Sequence, residues 1–127
     1  MKNAEAYSPL LLAYIGDAVF ELYVRQKLVC QQALPMQQMH RKVTRIVRAA
    51  GQDAALRQLN TYLSAEEAAV VRRGRNTKSH VPKNAEMSVY RRATGFEALL
   101  GWLYLSRQTE RLYELLKLLK IGEEENV

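Results

Sequence analysis

The chain has 127 residues, 48% hydrophobic and 25% charged, with 19 Lys and Arg against 13 Asp and Glu for a formal charge of +6. These values describe one globular domain over residues 1–127 with enough apolar material for a core, and they exclude a low-complexity or disordered chain. The single cysteine, Cys30, cannot close an internal disulfide, no Cys or His cluster fits zinc, and no apolar run reaches spanning length, so a reducing, cytoplasmic setting without membrane is expected.

The pattern is helical nearly throughout. Ser8 followed by Pro9 predicts the start of a first helix, with serine as cap and proline at the first helical position. It runs to about Leu28, with apolar residues at 11, 12, 15, 19, 22 and 23. Pro35 opens a second helix to about Ala49, whose outer face carries Arg41, Lys42, Arg45 and Arg48 and which Gly51 is expected to stop. A third covers about Asp53 to Tyr62, with Ala54, Leu56 and Leu59 inward. Ser64-Ala65-Glu66-Glu67 is a capping box and starts a fourth helix ending near Gly74. Residues 75–83 lack periodicity and predict an exposed basic loop. A fifth helix begins near Asn84 or Ser88 and reaches about Ser106. The last spans Thr109 to about Lys120, with Leu112, Leu115, Leu116 and Leu119 on one face.

The excess charge is concentrated. Residues 72–92 hold Arg72, Arg73, Arg75, Lys78, Lys83, Arg91 and Arg92 against Glu86 alone, while the remaining chain balances twelve basic with twelve acidic residues. Such a stretch predicts a polyanionic partner, with phosphate the commonest. Arg72, Arg73, Arg75, Lys78 and Lys83 are the candidate RNA contacts, and Arg91 and Arg92 also fit a solvated helix face. A loop at 75–83 could enter a groove of duplex RNA, whose binding would weaken with salt.

Two acids stand out. Asp17 lies within the apolar run of residues 10–24, beside Gly16, and Glu97 lies within a second apolar run between Gly95 and Gly101. A carboxylate in such a stripe is costly to bury unless paired or bound to a metal. If the two helices pack, Gly16, Gly95 or Gly101 would permit close approach and bring the carboxylates together. Adjacent carboxylates raise one pKa or recruit a cation, and hard oxygen ligands suit Mg²⁺ or Mn²⁺. A metal, an acid pair and a basic loop together point to phosphodiester hydrolysis. The other reading is two edge acids in ordinary salt bridges. Glu21, one turn after Asp17, fits either a third site acid or a surface ion-pair partner.

Tyr14-Ile15-Gly16-Asp17-Ala18-Val19 resembles the core of the ribonuclease III signature. Ala93-Thr94-Gly95-Phe96-Glu97-Ala98-Leu99-Leu100-Gly101 resembles that family's second acidic helix, and the likeness runs over essentially the whole chain. With the basic segment at 73–78 and no double-stranded-RNA-binding domain after residue 127, the chain is similar to the family's Mini-III branch. The resemblance implies an all-α catalytic domain of about six to seven helices, assembled as a symmetric homodimer. It implies an Mg²⁺-dependent endoribonuclease, with Mn²⁺ as a possible substitute, that cuts double-stranded RNA to 5′-phosphate and 3′-hydroxyl ends. Maturation of 23S ribosomal RNA precursor in bacteria is the implied role. The broader family carries an acid where this chain has Ala13 and another where it has Thr94, so the resemblance assigns catalysis and metal binding to Asp17 and Glu97 only. Those two losses also leave room for a non-catalytic RNA-binding accessory protein of ribosome assembly. Leu10, Leu11, Tyr14, Ala18 and Phe20 are the candidate dimer contacts, since the first helix is apolar on more faces than a small domain easily buries; a fully buried core helix fits the same pattern.

Overall fold

The computed structural model describes residues 3–77 and 86–121. Within them are six α-helices and two short 3₁₀ turns, Ala4–Ala6 and Asn60–Tyr62: α1 Pro9–Gln31, α2 Met36–Val47, α3 Ala49–Leu59, α4 Ala65–Asn76, α5 Met87–Leu105 and α6 Thr109–Lys117. The all-α expectation holds. α5 is the axis of the domain, packed by α1, α3, α4 and α6, and it is buried continuously from Ala93 to Leu103 apart from the half-buried Glu97.

Local chemistry explains the well-placed starts. Ser8 Oγ accepts the Leu11 N–H at 3.2 Å and Pro9 occupies the first turn of α1. At α4 the capping box is complete: Ser64 Oγ accepts the Glu67 N–H at 3.1 Å, and the Glu67 carboxylate accepts the Ser64 N–H at 2.9 Å. Each satisfies backbone donors that a helix start otherwise leaves unpaired.

Backbone contact sets the α1–α5 spacing. A Cβ on Gly16 would lie 1.7 Å from the Glu97 carbonyl oxygen, and one on Gly101 would lie 1.8 Å from the Leu12 carbonyl oxygen. No side chain fits at either point. Farther along, Phe20 meets Phe96 edge to face with ring centroids 4.9 Å apart, a pairing worth about 0.5–1.5 kcal/mol beyond the area it buries.

Several sequence expectations are corrected. Gly51 does not stop the second helix: the chain turns at Arg48 and Gly51 lies inside α3, where a Cβ would strike the Ile46 carbonyl oxygen at 2.0 Å. Ala55 is buried and Ala54 exposed, reversing the expected face, while Leu56 and Leu59 are buried as expected. Gly95 packs against Gly74 and Val71 of α4 rather than against α1. α4 continues through Arg75 and Asn76, and Thr77 caps it with its hydroxyl donating to the Arg73 carbonyl at 2.9 Å. Phe20, at 1% exposure, belongs to the core and not to an outer surface. Leu10, Leu11, Tyr14 and Ala18 are exposed on α1.

Candidate functional site

Asp17 follows Gly16 on α1, and Gly16 sits against the backbone of Glu97 on α5. The glycine contact therefore brings the two acids side by side, and their carboxyl groups come within hydrogen-bond reach of each other. Asp17 is exposed and Glu97 half-buried. Burial and the neighbouring Asp17 carboxyl push the Glu97 carboxyl up from 4.5 to about 8, opposed by an N–H from Gln52. Removing water from a carboxylate and placing a like charge beside it both favour the protonated form.

Gln52 was not foreseen. It lies in the first turns of α3, 3% exposed, and its Nε2 donates to Glu97 Oε2 at 3.2 Å and to the Val47 carbonyl at 3.0 Å. The next residue, Asp53, is also buried and grips the acidic helix nearer its start. Its oxygens accept Arg92 Nε at 2.5 Å and Arg92 Nη2 at 3.1 Å, and Arg57 joins at 3.1 Å. α3 thus holds α5 at two points, five residues apart on α5.

The positions without acids behave as apolar or self-satisfied. Ala13 is buried, and the buried Thr94 donates its hydroxyl to the Tyr90 carbonyl at 3.0 Å. Glu21 pairs with Arg25 at 2.7 Å on the exposed face of α1. Among the described residues no three His, Cys, Asp or Glu side chains cluster as a metal cage. Two adjacent carboxyl groups, one raised by burial and by its neighbour, nevertheless fit a hard divalent cation, which holds few protein oxygens and keeps several waters.

Arg72, Arg73 and Arg75 are exposed on the last turns of α4. Arg75 lies across α5: a Cβ on Gly95, two residues before Glu97, would be 3.2 Å from Arg75 Cγ. Beyond it a depression of about 430 Å³ is lined by Arg75, Asn76, Met87, Ser88, Arg91 and Arg92. Lys78 and Lys83, with most of the predicted basic loop, lie outside the described residues. Along its solvent-facing side α1 also exposes Leu11 at 55%, Tyr14 at 77% and Leu22 at 66%. That stripe continues into a small apolar groove with Val19, Tyr23, Tyr104 and Tyr113 among its walls.

Comparison with known proteins agrees in sequence and in fold. The Ribonuclease III domain family matches residues 10–108. The chain is 49% identical over 112 residues to Mini-ribonuclease 3 of Thermoanaerobacter sp. (strain X514), covering 87% of this chain and 79% of that one. It is 45% identical over 118 residues to Mini-ribonuclease 3 of Symbiobacterium thermophilum, covering 92% and 91%. The crystal structure of a Fusobacterium nucleatum protein superposes with a TM-score of 0.84 at 28% identity, covering 97% of this chain and 99% of that one.

Proposed function

The chain belongs to the ribonuclease III family and is an endoribonuclease, and we propose that Asp17 and Glu97 are its catalytic centre, acting with Mg²⁺ on double-stranded RNA. One observation carries the reading: Gly16 sits against the Glu97 backbone and sets the two acids side by side, where burial and Asp17 push Glu97 up to about 8. A structure built only for stability would set a cation against a half-buried acid. Here a second acid is set against it, and the charge is balanced by a ligand from outside the chain.

Asp17 and Glu97 would hold a divalent ion, which would supply Lewis-acid activation of water and offset the charge that grows on the phosphate. The chain's residues do the rest. Asp17, exposed on α1, meets the incoming strand. Glu97, anchored by Gln52, presents its carboxylate from the floor. Arg75, whose stem crosses α5 two residues before Glu97, leads a basic surface with Arg72 and Arg73 that takes neighbouring phosphates. Phosphate contacts give affinity that is salt-dependent and largely blind to sequence. Lys78 and Lys83 extend that surface in sequence. Hydrolysis leaves 5′-phosphate and 3′-hydroxyl ends.

The exposed Leu10, Leu11, Tyr14 and Ala18, with Leu22, form the twofold contact of a homodimer. An apolar helix face of this kind is uncommon on a monomer's surface. Two acid pairs related by a twofold axis cut the two strands of one duplex. The likeness to the Mini-III branch carries the cellular role: maturation of 23S ribosomal RNA precursor in a bacterial cytoplasm.

Asp17→Asn tests the centre. The variant should bind duplex RNA with wild-type salt dependence and cut it about a hundred- to a thousandfold more slowly, the loss expected for removing one preorganised electrostatic contact to the transition state. Wild-type cleavage rates in the variant would sink the assignment of Asp17.

A further inference from the structure

We infer that Gln52 is a positioning residue of the acid pair: it fixes the Glu97 carboxylate for cation binding. The inference rests on the reading of Asp17 and Glu97 as the metal site and adds a residue from a third helix.

The amide of Gln52 meets two acceptors, Glu97 Oε2 at 3.2 Å and the Val47 carbonyl at 3.0 Å. A side-chain amide has two N–H groups on its nitrogen, and the Val47 carbonyl can only accept, so the nitrogen must face Val47 and meets Glu97 from the same position. Each partner is significant. Val47 is the last residue of α2, where carbonyls have no partner inside the helix, and Gln52 satisfies one of them. That bond fixes the amide against the helix end. The second N–H is then aimed at Glu97 from a rigid support.

Capping alone would use one N–H. The other meets Glu97, the carboxyl group that lies beside Asp17. Glu97 has three side-chain torsions, and anchoring Oε2 determines where its other oxygen points. At 3% exposure the amide is shielded from competing water. A charged donor in its place, as Arg92 is for Asp53, would neutralise the acid and compete with the ion. A neutral amide orients Glu97 and leaves its charge available. Hydrogen-bond partners of ligating side chains commonly change metal affinity or activity 10- to 100-fold when removed.

Gln52→Met keeps the length and removes both N–H groups. Two readouts are needed: the shift in melting temperature of the RNA-free protein as Mg²⁺ or Mn²⁺ is added, and kcat and KM on duplex RNA. The folded variant should need about tenfold more ion for half its thermal shift and lose about 10- to 100-fold in kcat, with KM within about twofold because the basic surface is untouched. A folded variant with wild-type ion midpoint and wild-type kcat would overturn the inference and leave Gln52 as a helix cap. Loss in KM alone would overturn it too. Should the variant not fold, the wild-type protein decides: the Gln52 side-chain amide signals, followed by ¹H–¹⁵N NMR through an Mg²⁺ titration, should move with the ion, and stationary signals at saturation would refute the inference. An ion response that Gln52→Met weakens, in a protein that cuts no duplex, would uphold Gln52 and refute the nuclease reading. No ion response in the wild type would refute both.

Discussion

Glu67 and Glu97 both sit in helices that pack in the interior, and the chain treats them in opposite ways. Glu67, on α4, accepts Arg111 Nε and Nη2 at 2.8 Å each and the Ser64 N–H at 2.9 Å, and Arg111 also donates to the Tyr62 carbonyl and pairs with Glu114. The Arg111 guanidinium holds the Glu67 carboxyl below its ordinary range. Arg92 does the same for Asp53. Glu97 instead faces Asp17, and its carboxyl is raised. Burial of an acid therefore marks no site by itself. What marks one is an acid whose neighbours increase its charge problem when the same fold solves that problem elsewhere with arginine.

The sharpest way to break this contrast is to neutralise each acid system in turn. Glu97→Gln should slow duplex cleavage about a hundred- to a thousandfold, the scale expected for removing preorganised charge at the reacting phosphate, while the metal-free protein stays as stable as wild type or becomes more so. Arg111→Met should do the reverse. It leaves a buried carboxylate without its cation, which costs about 3–5 kcal/mol, a fall in melting temperature of about 10 °C or more for a domain of this size. Its cleavage rate per folded molecule should stay within about twofold of wild type. Urea unfolding and initial cleavage rates on both variants give the comparison. Glu97→Gln destabilised as strongly as Arg111→Met would make Glu97 an ordinary structural acid.

Much of this contrast was legible in the sequence, and its exceptions have physical causes. Asp17 and Glu97 could be paired because each breaks an otherwise apolar helix beside a glycine, and Gly16 and Gly101 do meet across α1 and α5. The starts of α1 and α4 were legible because caps are local chemistry, written within four residues. Gln52 carried no signal: its partner Glu97 is 45 residues away, and a glutamine near a helix start is commonplace. The pairings of Asp53 with Arg92 and of Glu67 with Arg111 were hidden for the same reason, at separations of 39 and 44 residues. Phe20 lies in the core and not at the expected surface because apolar residues recur on more than one side of α1, so their pattern has only a weak phase to tell core from surface. Ala54 was misassigned within Ala54-Ala55-Leu56, where three successive apolar residues fit either register. Gly51 looked like a stop because glycine often ends helices, whereas here it admits the α2 backbone.

The weakest effect, and the one that tests the contrast without a mutation, is the pH dependence of the metal-free protein. Glu97 has its folded pKa raised from 4.5 to about 8, so its contribution to stability is full below about 4.5 and is lost as pH rises through 8. Glu67 and Asp53 have theirs lowered, so their contributions are present above the ordinary carboxylate range and are lost as pH falls through their folded values. The two systems thus pull in opposite directions, and the melting temperature should peak in mildly acidic solution and decline towards both sides. The decline on the alkaline side of that peak, between about pH 4.5 and 8, should belong to Glu97 alone among these three groups. Glu97→Gln should flatten that side and leave the acidic side unchanged. Saturating Mg²⁺ should flatten it as well, because a bound cation gains affinity as Glu97 loses its proton. An alkaline decline that survives both Glu97→Gln and Mg²⁺ would mean that the raised acid is not the source, and that the charge Glu97 shares with Asp17 is balanced within the chain.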